Sequence, residues 1–416
     1  MIAKIAVLDL HQPIKPITID PRYSNLWLLV RVGYQPLGML RLPRPSRRSS
    51  YTSDHLREAI NDQIGWRVWE ELAVPSHMPA LSPPISVVVC TRDRPESLRR
   101  CLADLAKLDY QNYEVIVVDN ASRGPETAEV VAERSFRYAR EERTGLDWAR
   151  NCGLDAAKYA LVAYTDDDVQ VDAGWLRGIA AAFADPQVAA VTGLVLPAEV
   201  ESQAQALFER YGGMSKGFTP RLFERQRLGD AGIIAAHQCG VGANMAFRRA
   251  ALMALGGFDT ALDVGTPAFG GGDIDIFHRV LAAGLALHYE PSALVWHQHR
   301  RDLPGLRRQI YGNGRAFGVY LAKIWRDRSV PRQAVAIYAA RWVGGWLVRR
   351  VFDSARGRLN TPLRLALDEL WGALHAPSAY RETYRRDAEI RRAQYVEPAN
   401  DTQTIPALHR YHRIDL

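Results

Sequence analysis

From Pro84 to Ile179 the chain alternates short β-branched runs with helical segments, and no other feature restricts its fold as much. Ile85 to Val89 is a continuous apolar run that Pro95 breaks into a helical pattern, Leu98, Leu102 and Leu105, at spacings of four and three. Val115 to Val118 repeats the form, with Asp119 and Asn120 at its end and a helix through Val130 and Val131. GLDWARNCGLDAAK reads as a helix leading into ALVAYTDDDV; GWLRGIAAAFA then gives another helix and VAAVTGLVL another strand. Apolar strands separated by helices of about ten to fifteen residues predict an α/β fold with a mostly parallel sheet covered on both faces. In such sheets ligands gather beyond the strand carboxyl ends. Thr91, Arg92, Asp119, Asn120 and Asp166 to Asp168 all fall there.

Three consecutive carboxylates close the strand in AYTDDDV. On an extended segment Asp166 and Asp168 point to one side and Asp167 to the other. Two carboxylates side by side in a cleft repel unless a divalent cation lies between them, and hard oxygen ligands suit magnesium or manganese. The competing reading is a solvated acidic turn. A second acidic pair, Asp273 and Asp275 in GGGDIDIFHRV, precedes the helical pattern of Ile276, Val280 and Leu281. A carboxylate at that position also serves as a helix cap.

ISVVVCTRDRP, EVIVVDNAS, GLDWARNCG, AYTDDDV and FGGGDIDIFHRVLAAG, in this order and at these intervals, resemble the inverting family 2 glycosyltransferases of GT-A fold. The resemblance spans Ile85 to Trp296. It implies a Rossmann-like sheet and transfer of a sugar, with inversion, from a nucleotide-diphosphate donor to a hydroxyl acceptor in polysaccharide or glycolipid synthesis. A UDP-sugar is the first expectation for the donor. Donor contacts are implied at Thr91, Arg92, Arg94 and Asp119, near the diphosphate at Gly145 and Arg150, and at Asp166 and Asp167. A carboxylate accepts from an imide N–H, so Asp119 suits a base edge. Its alternative is an Asx turn ending the strand, and the arginines are otherwise surface cations.

Asp166 and Asp168 take the place of the family's DXD motif, holding Mn2+ or Mg2+ as a Lewis acid on the leaving phosphate. A histidine of ALVWHQH is implied as third ligand; His297 is preferred, although His299 points to the same side of an extended strand. Asp273 takes the place of the catalytic base. The residue before it is commonly Glu in the family and is Gly272 here, so Gly270 to Gly272 suggest a mobile loop instead. Asn244, Gly272 and Asp275 are the acceptor-side candidates. Gly240 and Gly242, in HQCGVGANMAFRR, join them as sugar or acceptor contacts, and that segment reads equally as a tight turn.

The flanks are of another kind. Residues 1–80 predict a small β-rich module plus a helix: strands in KPITID and NLWLLVRVGYQPLGMLRL, turns at Pro21 and Pro36, and a helix capped by Ser53 or Asp54. Arg44 to Ser50 reads as a flexible basic link. The resemblance implies a GT-A glycosyltransferase domain over residues 81–300, and 301–416 read as a helical, basic, aromatic extension. Between Arg300 and Asn360 there are 14 Lys or Arg against 3 Asp or Glu. The stretch 331–352 mixes Trp342 and Trp346 with Arg341, Arg349 and Arg350, and is too charged to span a bilayer. It reads as peripheral contact with an anionic leaflet, or as a core helix with a solvated basic face.

Four cysteines without CxxC spacing, with neither a leader nor a membrane span, give the expectation of a cytoplasmic protein, peripheral at the inner membrane face. A pI of 9.2 raises nucleic-acid binding. No helix-turn-helix, RNP or zinc motif accompanies the charge, and an acidic rim repels phosphates, so no nucleic-acid partner is expected. The absence of GxGxxG after the first strand argues against a dinucleotide enzyme. The expected partners are a nucleotide sugar and a carbohydrate or lipid-linked acceptor. The alternative to an enzyme is a catalytically inactive glycosyltransferase-like binding protein, raised by Gly272.

Overall fold

The computed structural model describes residues 2–45, 50–73 and 82–395; most of the expected basic link and residues 396–416 of the extension lie outside them. Strands β1 (Ala3–Asp9), β2 (Ile17–Thr18), β3 (Asn25–Val32), β4 (Gln35–Pro43) and β5 (Ser50–Tyr51) precede helix α1 (Ser53–Ala73). β1 pairs parallel with β3, β3 pairs antiparallel with β4, and β2 and β5 form a separate ribbon. Two expectations are corrected here. The turn between β3 and β4 falls at Gly33, with a φ of +56° that favours glycine, and not at Pro36. Pro36 lies inside β4, which is an edge strand and tolerates a residue without an N–H. Thr52, rather than Ser53 or Asp54, caps α1, its hydroxyl accepting the His55 N–H at 3.3 Å.

The main sheet and its helices run β6 (Ile85–Thr91), α2 (Pro95–Leu105), β7 (Tyr113–Asn120), α3 (Glu126–Ala132), β8 (Arg137–Glu141), α4 (Leu146–Ala156), β9 (Leu161–Asp166), β10 (Val169–Val171), α5 (Trp175–Ala182) and β11 (Val188–Pro197). They continue α6 (Gln203–Tyr211), β12 (Arg221–Phe223), α7 (Arg225–Ile234), β13 (Asn244–Arg248), α8 (Arg249–Ala254), α9 (Gly272–Ala282) and β14 (Ala286–His297). The strand order is β10-β14-β11-β13-β9-β6-β7-β8, with β12 also on β14. β9, β6, β7 and β8 run parallel, as do β11 and β14. β13 enters antiparallel between β9 and β11.

Alternating side chains feed two cores. Val87 and Val89 pack with Leu98 and Leu102 of α2 and Trp175 of α5. Val88 and Cys90 pack on the other face with Leu154 of α4 and Ile276 of α9. Burial on both faces is why these strands read as unbroken apolar runs. The N-terminal module joins this body through Leu29, which meets Leu194, Leu196 and Leu294, and through Arg31, which pairs with Asp172 at 2.9 Å.

After β14 come α10 (Leu303–Asp327), α11 (Arg332–Arg341), a π-helical stretch (Trp342–Val348), α12 (Arg349–Ala355), α13 (Leu363–Leu374) and α14 (Ala376–Tyr395). The backbones of α10 and α13 nearly touch: a Cβ on Gly314 would overlap the Glu369 carbonyl, and one on Gly372 the Tyr311 carbonyl.

Candidate active site

Two strand registers assemble an acidic rim. Cys90 of β6 lies opposite Asp166 of β9, and after the turn at Asp167 and Asp168, Val169 of β10 lies opposite His297 of β14. Oxygens of Asp166 and Asp168 and a ring nitrogen of His297 consequently lie within 4.8 Å of one another. His297 Nε2 is 3.3 Å from Asp168 Oδ1, and its Nδ1 is 3.1 Å from Nδ1 of His299. His299 Nε2 in turn stands 2.9 Å from Glu209 Oε1. A carboxylate only accepts, so in the neutral tautomers His299 donates Nε2–H to Glu209 and accepts at Nδ1 from His297 Nδ1–H. The lone pair on His297 Nε2 is left facing the aspartates. His299, 3% exposed, sits behind as a support, which separates two histidines that strand alternation alone could not.

The electrostatics suit a cation. Burial pushes the Asp166 carboxyl up to about 7, with Asp168 and Asp167 adding to the effect and Arg150 opposing it. Burial likewise pushes Asp167 up to about 6 and holds the His297 imidazole down at about 4, keeping the ring neutral at neutral pH. Crowded, partly desolvated carboxylates beside a neutral imidazole are a donor set that fits Mn2+ or Mg2+. Asp167 itself turns to the protein. Its Oδ2 accepts the Thr91 hydroxyl at 2.7 Å, and Arg94 bridges its Oδ1 at 3.1 Å to Asp168 Oδ2 at 3.3 Å.

Asp273 stands in the first turn of α9, after Gly271 with a φ of +99°. Its Oδ2 accepts the Gly242 N–H and its Oδ1 the Ile274 N–H, both at 2.8 Å. Burial raises its carboxyl above the ordinary range; Asp263 adds to the rise and Arg150 opposes it. Arg150 is 4% exposed and donates to Asp147 Oδ1 at 2.9 Å and Asp263 Oδ2 at 2.5 Å. Its charge acts on both Asp166 and Asp273, so one buried guanidinium serves both acidic motifs. Glycines make this possible. A Cβ on Gly242 would press on Arg150 and Asp273, one on Gly272 would overlap the Asp147 carboxylate, and Gly270 and Gly271 lie against Ala316 of α10. The expected mobile loop is thus corrected to a close-packed one.

Other candidates turn inward. Asn244 accepts from Trp175 Nε1 at 2.9 Å and donates to the carbonyls of Ala293 at 2.7 Å and Leu194 at 3.1 Å, so it braces strands and does not face an acceptor. Asp275, 1% exposed, pairs with Arg279 at 2.8 Å and Lys323 at 2.6 Å. Its place on the acceptor side is corrected for the same reason. Asp119 Oδ1 accepts the Ser122 N–H at 2.9 Å, the Asx turn, while Oδ2 takes Tyr138 at 2.8 Å and Arg140 at 3.0 Å. Gly145 N–H caps onto Asn120 Oδ1 at 2.9 Å. Arg92 is a half-exposed cation near Asp93, at 3.8 Å. Val241 O accepts the Asn244 N–H at 3.1 Å, so the Gly240 to Asn244 segment is a turn. Sequence reasoning missed Asp147, Asp263 and Glu209. Only Asp147 left a signal, its spacing of three from Arg150 on one helix.

Comparison with known proteins points the same way. Residues 86–256 match the family described as Glycosyl transferase family 2. The Pre-mycofactocin glycosyltransferase of Mycobacterium tuberculosis is 28% identical over 295 residues, which is 68% of this chain and 58% of that protein. The chain therefore spans well under two thirds of the length of that relative. The Glucosyl-dolichyl phosphate glucuronosyltransferase of Haloferax volcanii is 24% identical over 190 residues, 42% of this chain and 56% of that protein. Among solved structures, mannosyltransferase PcManGT from Pyrobaculum calidifontis, in complex with GDP-Man and Mn2+, aligns over 75% of this chain and 92% of its own at 18% identity, with a TM-score of 0.49. That likeness is too distant to bear on substrate.

Proposed function

We propose that this chain transfers a sugar from a nucleotide-diphosphate donor, a UDP-sugar first, to a hydroxyl acceptor in a metal-assisted single displacement with inversion, on a GT-A fold. The observation that carries the reading is the convergence of Asp166, Asp168 and His297 at the strand rim, with the buried charge of Arg150 acting on both Asp166 and Asp273. A divalent ion held by those three residues would supply Lewis acidity to the departing diphosphate. Asp273 would take the acceptor hydroxyl proton. Its two backbone N–H bonds fix the carboxylate, and its raised proton affinity makes it a better base than an exposed aspartate. Arg150 opposes that rise.

Asp119 would read the donor base only by sharing Oδ2 with Tyr138 and Arg140, which makes those two β8 side chains part of the proposed base pocket. Thr91, Arg94 and Asp167 would brace the metal-bearing turn rather than touch the nucleotide. Polysaccharide or glycolipid synthesis is the proposed setting. A lipid-linked acceptor is favoured within it, since one relative's name describes action on a dolichyl phosphate sugar. The test is a thermal-shift screen against UDP, GDP, dTDP and CMP, each with and without Mn2+. A metal-dependent rise for one nucleotide is expected. No rise for any of them, in folded protein, overturns the reading in favour of an inactive, partner-binding homologue.

A further inference from the structure

The outer helices carry an apolar face that no described residue covers. On α13, Leu363, Leu367, Trp371 and Leu374 follow one another at spacings of four, four and three and are 37%, 44%, 59% and 62% exposed. The opposite face, with Leu365, Ala366 and Gly372, is buried against α10. The helical run 332–355 packs beside it and is nearly bare: within that run only Val335 and Leu347 are buried, while Ile337, Val343 and Phe352 are exposed. One face does meet the core, through Ala334, Val335, Tyr338, Ala339 and Trp342, as the reading of a core helix with a solvated basic face expects; the remaining apolar side chains are what lies open. Val343 also lines a groove of about 590 Å³ between α10, α11 and α14, together with Leu321, Trp325, Ala339 and Tyr380.

The charge around this face has one sign. Arg341, Arg356 and Arg364 lie on or beside it with no acid within ion-pair distance among the described residues. The nearby acids are already engaged: Asp353 with Arg349 and Arg358, Asp368 with Arg307, and Glu369 with Tyr211 and Trp346. No helix of the described residues is long and apolar enough to cross a membrane. A second copy of this chain would bring the same arginines face to face, because a two-fold contact sets a patch against itself. An anionic bilayer answers both features, with aromatic and leucine side chains entering the headgroup region and arginines meeting lipid phosphates.

We propose that the exposed face of α13 and of the 332–355 helix seats this protein on an anionic phospholipid surface. The α10 helix that carries α13 also packs against Gly270, Gly271 and Phe269, the loop leading to Asp273. Seating is independent of the donor reading, because vesicle binding needs no nucleotide. The full chain is floated with vesicles of phosphatidylcholine alone or with about a third phosphatidylglycerol. Flotation with the anionic vesicles, weakened by high salt, is expected. Leu367→Glu with Trp371→Glu should cut the bound fraction at least about tenfold. Arg341→Gln with Arg364→Gln should weaken binding to the anionic vesicles only. These side chains are exposed, and unchanged circular dichroism melting confirms folding of each variant. Absence of flotation at every composition overturns the proposal, as does flotation unaffected by the leucine and tryptophan changes. So does a dimer, seen by light scattering, that those same changes split.

Discussion

At the scale of single residues the molecule ties two acidic motifs to one buried arginine and supports one imidazole with another. Asp273→Asn keeps one oxygen for one of the two backbone N–H groups, turns an amide NH2 toward the other while removing a buried charge, and cannot accept a proton as a carboxylate does. It is expected to melt like the parent and to lose roughly 10²–10⁴ in turnover; full turnover in a sugar-release assay would remove Asp273 from its role. His299→Ala leaves His297 free to choose its tautomer and rotate. Affinity for Mn2+, read by electron paramagnetic resonance without donor or acceptor, should fall about 10–100-fold. An unchanged affinity would reduce the Glu209–His299–His297 chain to packing. Only part of this was legible in the sequence. Asp166 and Asp168 stood out because consecutive carboxylates at a strand end are costly without a cation. Asn244, Asp275 and Asp119 carry the same polar chemistry, and spacing does not say whether such a side chain faces a ligand or the protein's own carbonyls, indoles and guanidinium groups. His297 and His299 became distinct only through the pairing of Val169 with His297 and the contact from Glu209 on α6.

At the scale of elements, strands buried on both faces announce themselves. β6, β7, β9 and β11 were readable as β-branched runs, and α2 and α5 from their spacing. β8 was not, because as an edge strand it exposes Arg137, Tyr138 and Arg140, side chains of both its faces. β10 and β12 are three residues each and take their conformation from β14 rather than from their own composition. The start of α9 shows how an element boundary can be read for the wrong reason. Three glycines suggested motion, yet each has a structural reason: Gly270 lies tight against Ala316, Gly271 takes a φ of +99°, and Gly272 leaves room for Asp147. Gly272→Ala should accordingly cost about 1–3 kcal/mol in denaturant unfolding, the usual cost of overpacking. A cost below about 0.5 kcal/mol, the ordinary scatter of surface changes, would mean that the segment yields.

At the scale of the whole molecule, stability depends on rings held neutral. His237 is pushed down to about 4, chiefly by burial, and lies edge-on to Phe317. The unfolded chain takes up that proton near pH 6.5 and the folded chain does not. The contribution is thus complete above that pH and is lost as the pH falls toward 4. His237→Phe removes the proton site and keeps the ring. Its melting temperature should rise relative to the parent between pH 7 and 5; a constant difference between the two proteins across that range would refute the assignment. The antiparallel strand β13 carries a different consequence, one about time. Its pairing with β9 on one side and β11 on the other means that the outer edge of β9 stays open until residue 248 has been made. His297 reaches Asp168 only after β14 has been laid down. A chain leaving the ribosome therefore carries its two aspartates without their histidine neighbour through more than a hundred further residues, and the three proposed ligands come together only when its sheet is closed.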